Sequence, residues 1–160
     1  MNPREGRPLP PTDRMLPNPS GLNAEFYRIA AETETLNVQR CTDCSVYRHP
    51  PRFRCALCGS DAWSWSPTTR RGVVWSWTIT HRAIDPAFTE QLPYAVVVVE
   101  LEEGVRVVGN LRGIETSELQ IGLEVNVSLD IRSDNIALID FTPGCSGSMS
   151  ALVRRKATVE

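Results

Sequence analysis

Four of the chain's five cysteines stand in two C-x-x-C pairs, Cys41/Cys44 and Cys55/Cys58, separated by the ten residues Ser45–Arg54. Each pair can form a tight knuckle whose sulfurs reach one ion, and two knuckles supply the four thiolates of a closed tetrahedral site. A redox dithiol instead wants a single C-x-x-C at a strand-to-helix turn of a βαβ unit, which the sequence lacks. Disulfides are rare in the cytosol, and a cytoplasmic setting is expected here. No stretch approaches the roughly 18 apolar residues of a membrane span, and the start, MNPREGRPLPPTDRMLPNPSG, has neither an apolar run nor a cleavage-like site. A four-sulfur site accepts Zn or Fe; zinc needs no redox role and is the expected ion, held structurally with no open position. A segment this short cannot build an apolar core, so a metal would hold it together. The gap is shorter than the roughly 15–20 residues of some ribbons, but it suffices for the hairpin of a rubredoxin-like ribbon. His49, between the knuckles, is then expected to be a loop residue. Cys145, in PGCSGSMS, has no partner spacing and is expected to be a free thiol.

The rest of the chain reads as mainly β. A Pro-rich arm (1–21) precedes a helix over 22–35, LNAEFYRIAAETETL. Asn23 is its expected N-cap, Leu22 a staple to Tyr27, and Phe26, Ile29 and Ala30 its apolar face. The zinc ribbon is expected over 36–68, where LNVQR runs into Cys41 and AWSWSP puts Trp63 and Trp65 on one face. A five-stranded barrel of OB type is expected over 69–143. Its strands are RRGVVWSWTITHRAI, then YAVVVVEL and VRVVGNL joined at Glu102-Glu103-Gly104, then LEVNVSLDIR and NIALIDFTP joined at 133–135. Val125, Val127, Leu129 and Ile131 share one face. The tail, 144–160, is Ser/Gly-rich, then basic, and is expected to be flexible. AVVVVEL is apolar without alternation, which suits a strand covered on both faces. Either the chain's own helix and ribbon or a partner protein must supply the second cover.

Charge is unevenly placed. Residues 1–82 hold 11 Arg and no Lys against 7 acidic residues, a net +4; residues 83–160 hold 6 basic against 12 acidic, a net −6. Such a split points either to an anionic ligand or partner or to a merely solvated surface.

The order of parts resembles a known family. The N-terminal helix, LNVQRCTDC, HPPRFRCALCGS, RRGVVWSWTITHR and LPYAVVVVELEEGVRV together resemble the acyl-CoA-associated OB-fold proteins with a rubredoxin-like zinc ribbon, domain of unknown function family 35. The likeness covers residues 22–143. Ala56 stands where the family often has Pro after the cysteine, and Thr69-Arg70-Arg71-Gly72 replaces a commoner Ser/Gly turn; neither touches a sulfur. The resemblance implies an accessory subunit that binds acyl-CoA and supports a thiolase-superfamily enzyme, a thiolase or an aldolase of steroid side-chain or other lipid breakdown. Assembly would be as a hetero-oligomer, a heterotetramer, in some cases beside a hot-dog-fold hydratase. The partner would supply the catalytic Cys or His.

The residues agree with that division of labour. With four cysteines committed to metal, only His49 and His81 remain as bases, and His81 has no carboxylate motif beside it, so no catalytic residue is assigned. Coenzyme A offers phosphates to arginine forks and an adenine face to aromatics. The candidate contacts are Arg48, Arg52 and Arg54 between the knuckles, and Arg71, Trp75, Trp77, His81 and Arg82 along the first barrel strand, expected to converge where ribbon meets barrel. The alternative is single-stranded nucleic-acid binding, which both zinc ribbons and OB-folds perform. The acidic barrel and the Val/Glu hairpin VVVVELEEGVRV argue against it.

Overall fold

The computed structural model describes residues 16–133 and 135–144. Most of the expected arm and tail, Cys145, and the middle of the turn at 133–135 lie outside the described residues. Helix α1 (Gly21–Thr33) starts earlier than expected. Its N-cap is Ser20, in extended backbone and without a side-chain capping bond, so Asn23 falls inside the first turn and caps nothing. The helix stops at Glu34, which takes the left-handed conformation (φ 49°). Among the described residues, no helix is long and apolar enough to cross a membrane.

Three short antiparallel strands follow: β1 (Asn37–Cys41), β2 (Tyr47–Arg48) and β3 (Trp63–Pro67), in the order β2-β1-β3. They make the ribbon. The chain then closes a five-stranded barrel from β4 (Arg71–Thr80), β5 (Tyr94–Leu101), β6 (Arg106–Leu111), β7 (Glu124–Ser133) and β8 (Ile136–Pro143). The neighbour order is β4-β5-β6-β8-β7, with β7 returning to β4. Only β6 and β8 run parallel among these pairs. This is the OB connectivity anticipated from the strand pattern.

The barrel closes tightly where β6 meets β8. A Cβ on Gly109 would lie 2.5 Å from the Ile139 carbonyl oxygen and 2.8 Å from the Phe141 ring, so only glycine fits there.

The valine run of β5 alternates after all. Ala95, Val97, Val99 and Leu101 point into the core, while Val96 and Val98 are half-buried on the outer face. The helix does not cover those outer valines. It lies against β8 and β7, where Ala30 and Ala31 meet Ala137 and Leu129. Its aromatic, Phe26, joins Leu36 and Val38 in one apolar core with the barrel valines. Helix, ribbon root and barrel therefore share a single interior.

Candidate metal centre and junction cleft

The ribbon brings its four cysteines together. Their sulfurs all lie within 4.8 Å of one another. The Cys41–Cys58 and Cys44–Cys55 separations are 3.6 and 3.5 Å, too long for disulfides, whose S–S bond is about 2.05 Å. A tetrahedral ion with metal–sulfur bonds of about 2.3 Å wants sulfurs about 3.8 Å apart. The cluster thus fits a divalent metal ion, and Cys41, Cys44, Cys55 and Cys58 could hold it.

The knuckles also prepare the sulfurs electrically. The Cys58 and Leu57 N–H groups point at the Cys55 sulfur and hold its pKa down to about 6. The Cys44 and Asp43 N–H groups lower Cys41 in the same way. Cys44 receives a lowering bond from the Val46 N–H, but burial and the neighbouring thiols outweigh it and raise the pKa to about 12. Cys58 is also raised: the Ser60 N–H and the Cys44 thiol lower it, but desolvation and the thiols of Cys41 and Cys55 outweigh them. Four thiols this close cannot all ionise without a cation among them.

Each knuckle turns on the residue after its second cysteine, where the backbone needs a positive φ. Gly59 supplies it at +77°, but Ser45 adopts +63° with a Cβ. Glycine takes this conformation without steric penalty. Ser45→Gly removes about 1–2 kcal/mol of left-handed strain against about 0.5–1 kcal/mol for glycine's greater unfolded freedom, so it is expected to stabilise the ribbon by about 0.5–1 kcal/mol. The denaturant midpoint followed by tryptophan emission reads this out, and a drop in that midpoint would contradict it.

Behind the sulfurs lies a buried polar knot. The Gln39 Oε1 accepts from Arg48 Nε at 2.9 Å and from the Arg52 backbone N–H at 2.7 Å. This ties the inter-knuckle loop to β1. Arg48 is only 8% exposed and stacks over Trp63 at 5.9 Å. Only its Nε is hydrogen-bonded there; Nη1 and Nη2 are buried without a partner, so the residue that sequence alone offered as a ligand contact is held largely inside the ribbon.

The remaining candidate contacts do not converge. β4 carries a bulge between Val74 and Ser76, which turns Trp75 outward and Trp77 toward the core. At i and i+2 the two would share a face in a regular strand; the bulge separates them. Trp75 is 42% exposed, with the Arg106 guanidinium 3.6 Å from its ring centroid and bonded to Glu100. Arg71 begins β4 and pairs with Glu102 at 3.2 Å. His81 and Arg82 are exposed just past its far end, roughly 30 Å along the strand at about 3.3 Å per residue. Arg52 and Arg54 are exposed on the ribbon.

A cleft of about 530 Å³ at the helix–ribbon–barrel junction uses none of those eight residues. Phe26 and Tyr27 of the helix, His49 and Pro50 of the ribbon, and Arg106, Val108 and Ile139 of the barrel line it. His49 packs on Phe26 with ring centroids 5.1 Å apart, and burial pushes its pKa down to about 4, so it is a neutral wall.

Comparison with known proteins gives this geometry a family. The ChsH2 C-terminal OB-fold domain matches residues 65–130. A probable enoyl-CoA hydratase alpha subunit from Thermomonospora curvata is 37% identical over 125 residues, 78% of this chain and 36% of that protein. The 3-oxo-4,17-pregnadiene-20-carboxyl-CoA hydratase alpha subunit of Mycobacterium tuberculosis is 32% identical over 116 residues, 72% of this chain and 36% of that one. This chain thus spans just over a third of the length of those two relatives. The solved Ltp2-ChsH2(DUF35) aldolase contains a chain 36% identical, with TM-score 0.71, covering 79% of this chain and 98% of that one. The chain belongs to the DUF35 family.

Within this DUF35 protein, sequence reasoning located the sulfurs but not the cleft. The cleft's walls come from residues 17–27, 49–50, 106–108 and 139, which no local pattern links. Two hints were present: Phe26 is the one aromatic on the helix's apolar stripe, and His49 precedes two prolines that stiffen its loop.

Proposed function

We propose that this chain is a non-catalytic, zinc-binding accessory subunit that binds acyl-CoA and supports a thiolase-superfamily partner acting on acyl-CoA carbon–carbon bonds. Steroid side-chain or other lipid breakdown is the setting that the hydratase and aldolase relatives suggest. The observation that carries the proposal is the likeness, nearly end to end on its side, to the DUF35 chain of a solved aldolase. Zinc is the ion the all-sulfur tetrahedron favours. Its role would be structural, with Cys41, Cys44, Cys55 and Cys58 filling every position.

The coenzyme A contacts belong to the same proposal. Trp75 with Arg106 across its face forms an exposed shelf at the edge of the junction cleft, and Arg106 also lines that cleft. Arg48, Arg52, Arg54, Arg71, Trp77, His81 and Arg82 remain the other sequence-derived candidates. The assembly would be a hetero-oligomer, a heterotetramer, with a hot-dog-fold hydratase as a further partner; the relatives of this chain are themselves named as hydratase alpha subunits.

Co-expression with the thiolase-superfamily chain encoded in the same genome tests this. The two are expected to co-elute and to cleave or condense an acyl-CoA together at least about tenfold faster than either alone. A partner fully active on its own, with no complex formed, would overturn the proposal.

A further inference from the structure

The ribbon's exposed large apolar side chains each stand within two residues of a sulfur ligand, at its metal-bearing tip. Phe53 is 71% exposed, Leu57 70% and Val46 38%. Each flanks a sulfur: Val46 follows Cys44 by two residues, Phe53 precedes Cys55 by two, and Leu57 adjoins Cys58. The sulfurs lie within 4.8 Å of one another, so the backbone segments that carry these residues converge at the cluster. Neither Phe53 nor Leu57 belongs to the apolar core, so folding of the chain does not account for them.

Arginines bracket the pair. Arg52 and Arg54 stand on either side of Phe53 and are exposed. Arg54 reaches only the Gly59 carbonyl, at 3.5 Å, and Arg40 donates to the Ser45 carbonyl and lies over Tyr47. None of the three forms an ion pair among the described residues. Asp43 and Asp61 are the ribbon's acidic residues. An aromatic and an aliphatic anchor ringed by arginine is the composition of a protein interface centre rather than of a solvated surface. The absence of lysine from residues 1–82 points the same way, since lysine serves a merely solvated face equally well.

We propose that this tip is the docking surface for the thiolase-superfamily partner. Phe53 and Leu57 would enter an apolar recess on that enzyme, and carboxylates on its rim would meet Arg52 and Arg54. The proposal rests on the accessory-subunit function above and adds the surface through which it acts. A polyanion is a poorer occupant. The barrel half carries −6 over residues 83–160, which repels a nucleic acid or an anionic membrane approaching along the molecule. A folded partner touching the tip alone escapes that repulsion.

The test compares wild type, the F53E/L57E double variant, and I121E, a control at an equally exposed site between β6 and β7 (Ile121, 72%). Binding is measured against the Ltp2 subunit of the solved complex and against the thiolase-superfamily chain from the same genome. Metal content and circular dichroism verify that all three proteins are folded. The double variant is expected to bind at least about 30-fold more weakly, with I121E within about threefold of wild type. Equal binding by the double variant and wild type overturns the tip assignment alone. Wild type binding neither probe overturns the accessory-subunit function and the tip with it. Binding of wild type to a thymidine oligonucleotide or to phosphatidylserine vesicles, lost in the double variant, overturns the choice of a protein occupant.

Discussion

Removing the metal ion is expected to unfold the ribbon while leaving the barrel closed. Apart from its root, the ribbon buries little that is apolar. Leu36 and Val38 reach the shared core, but Gln39 and Arg48 fill the space behind the sulfurs with polar atoms. The four sulfurs carry the remaining cohesion. Structural zinc in comparable small modules is bound with apparent free energies of about 10–16 kcal/mol near neutral pH, far above what so small a segment gains by burial. Chelation, or Cys55→Ser, should therefore release one equivalent of metal and shift tryptophan emission, because Trp63 pairs with Cys41 across β1 and β3 and Trp65 packs on Phe26. Strand circular dichroism from the barrel should persist, since Val97, Val99, Val107 and Phe141 form its interior without the sulfurs. Acidification should act in the same direction: protons compete with the ion for thiolates, so retention falls as pH falls. A protein shown by elemental analysis to be metal-free, yet with unchanged emission and thermal midpoint, would refute the role of the sulfur cluster.

Residues that act through short spacing were legible in the sequence; residues that act through curvature or long-range assembly were not. The knuckles are local, and a C-x-x-C turn places its sulfurs whatever surrounds it. The OB order followed from strand alternation such as Val125 and Val127 and from the Glu102-Glu103-Gly104 hairpin, where Gly104 takes a φ of +78°. The helix start was misplaced because Ser20 stands on extended backbone after two prolines and makes no capping bond, leaving Asn23 as the better-looking cap. Trp75 and Trp77 were separated by a bulge, an inserted residue that no alternation rule foresees. Arg48 looked like a surface charge; Gln39, from the neighbouring strand, is what allows it to be buried. The cleft was not assembled from the sequence, because Phe26 and His49 hinted at it separately and its walls meet only after ribbon and helix have closed over the barrel.

Phe26→Ala is expected to destabilise the fold by about 3–5 kcal/mol. The ring is only 4% exposed and belongs to the core that joins helix, ribbon and barrel. Its neighbours are Tyr27 on the helix, His49 and Trp65 on the ribbon at 5.1 and 6.1 Å, and the barrel valines in the shared core. A second tie crosses the same seam, from Trp65 Nε1 to Glu25 Oε1 at 2.9 Å, but a single partly exposed hydrogen bond contributes only about 1 kcal/mol. It cannot replace the ring. The thermal midpoint should fall by roughly 10 °C or more. Hydrogen exchange should rise first in α1 and β1 while β5 and β6 stay protected, because the barrel keeps its own valines. Metal retention should be nearly unchanged, since no sulfur touches Phe26; this separates loss of the seam from loss of the ribbon. The substitution also enlarges the junction cleft that Phe26 lines. If the midpoint moves by less than about 3 °C, or if α1 and β5 lose protection together, then helix, ribbon and barrel are not joined through this residue.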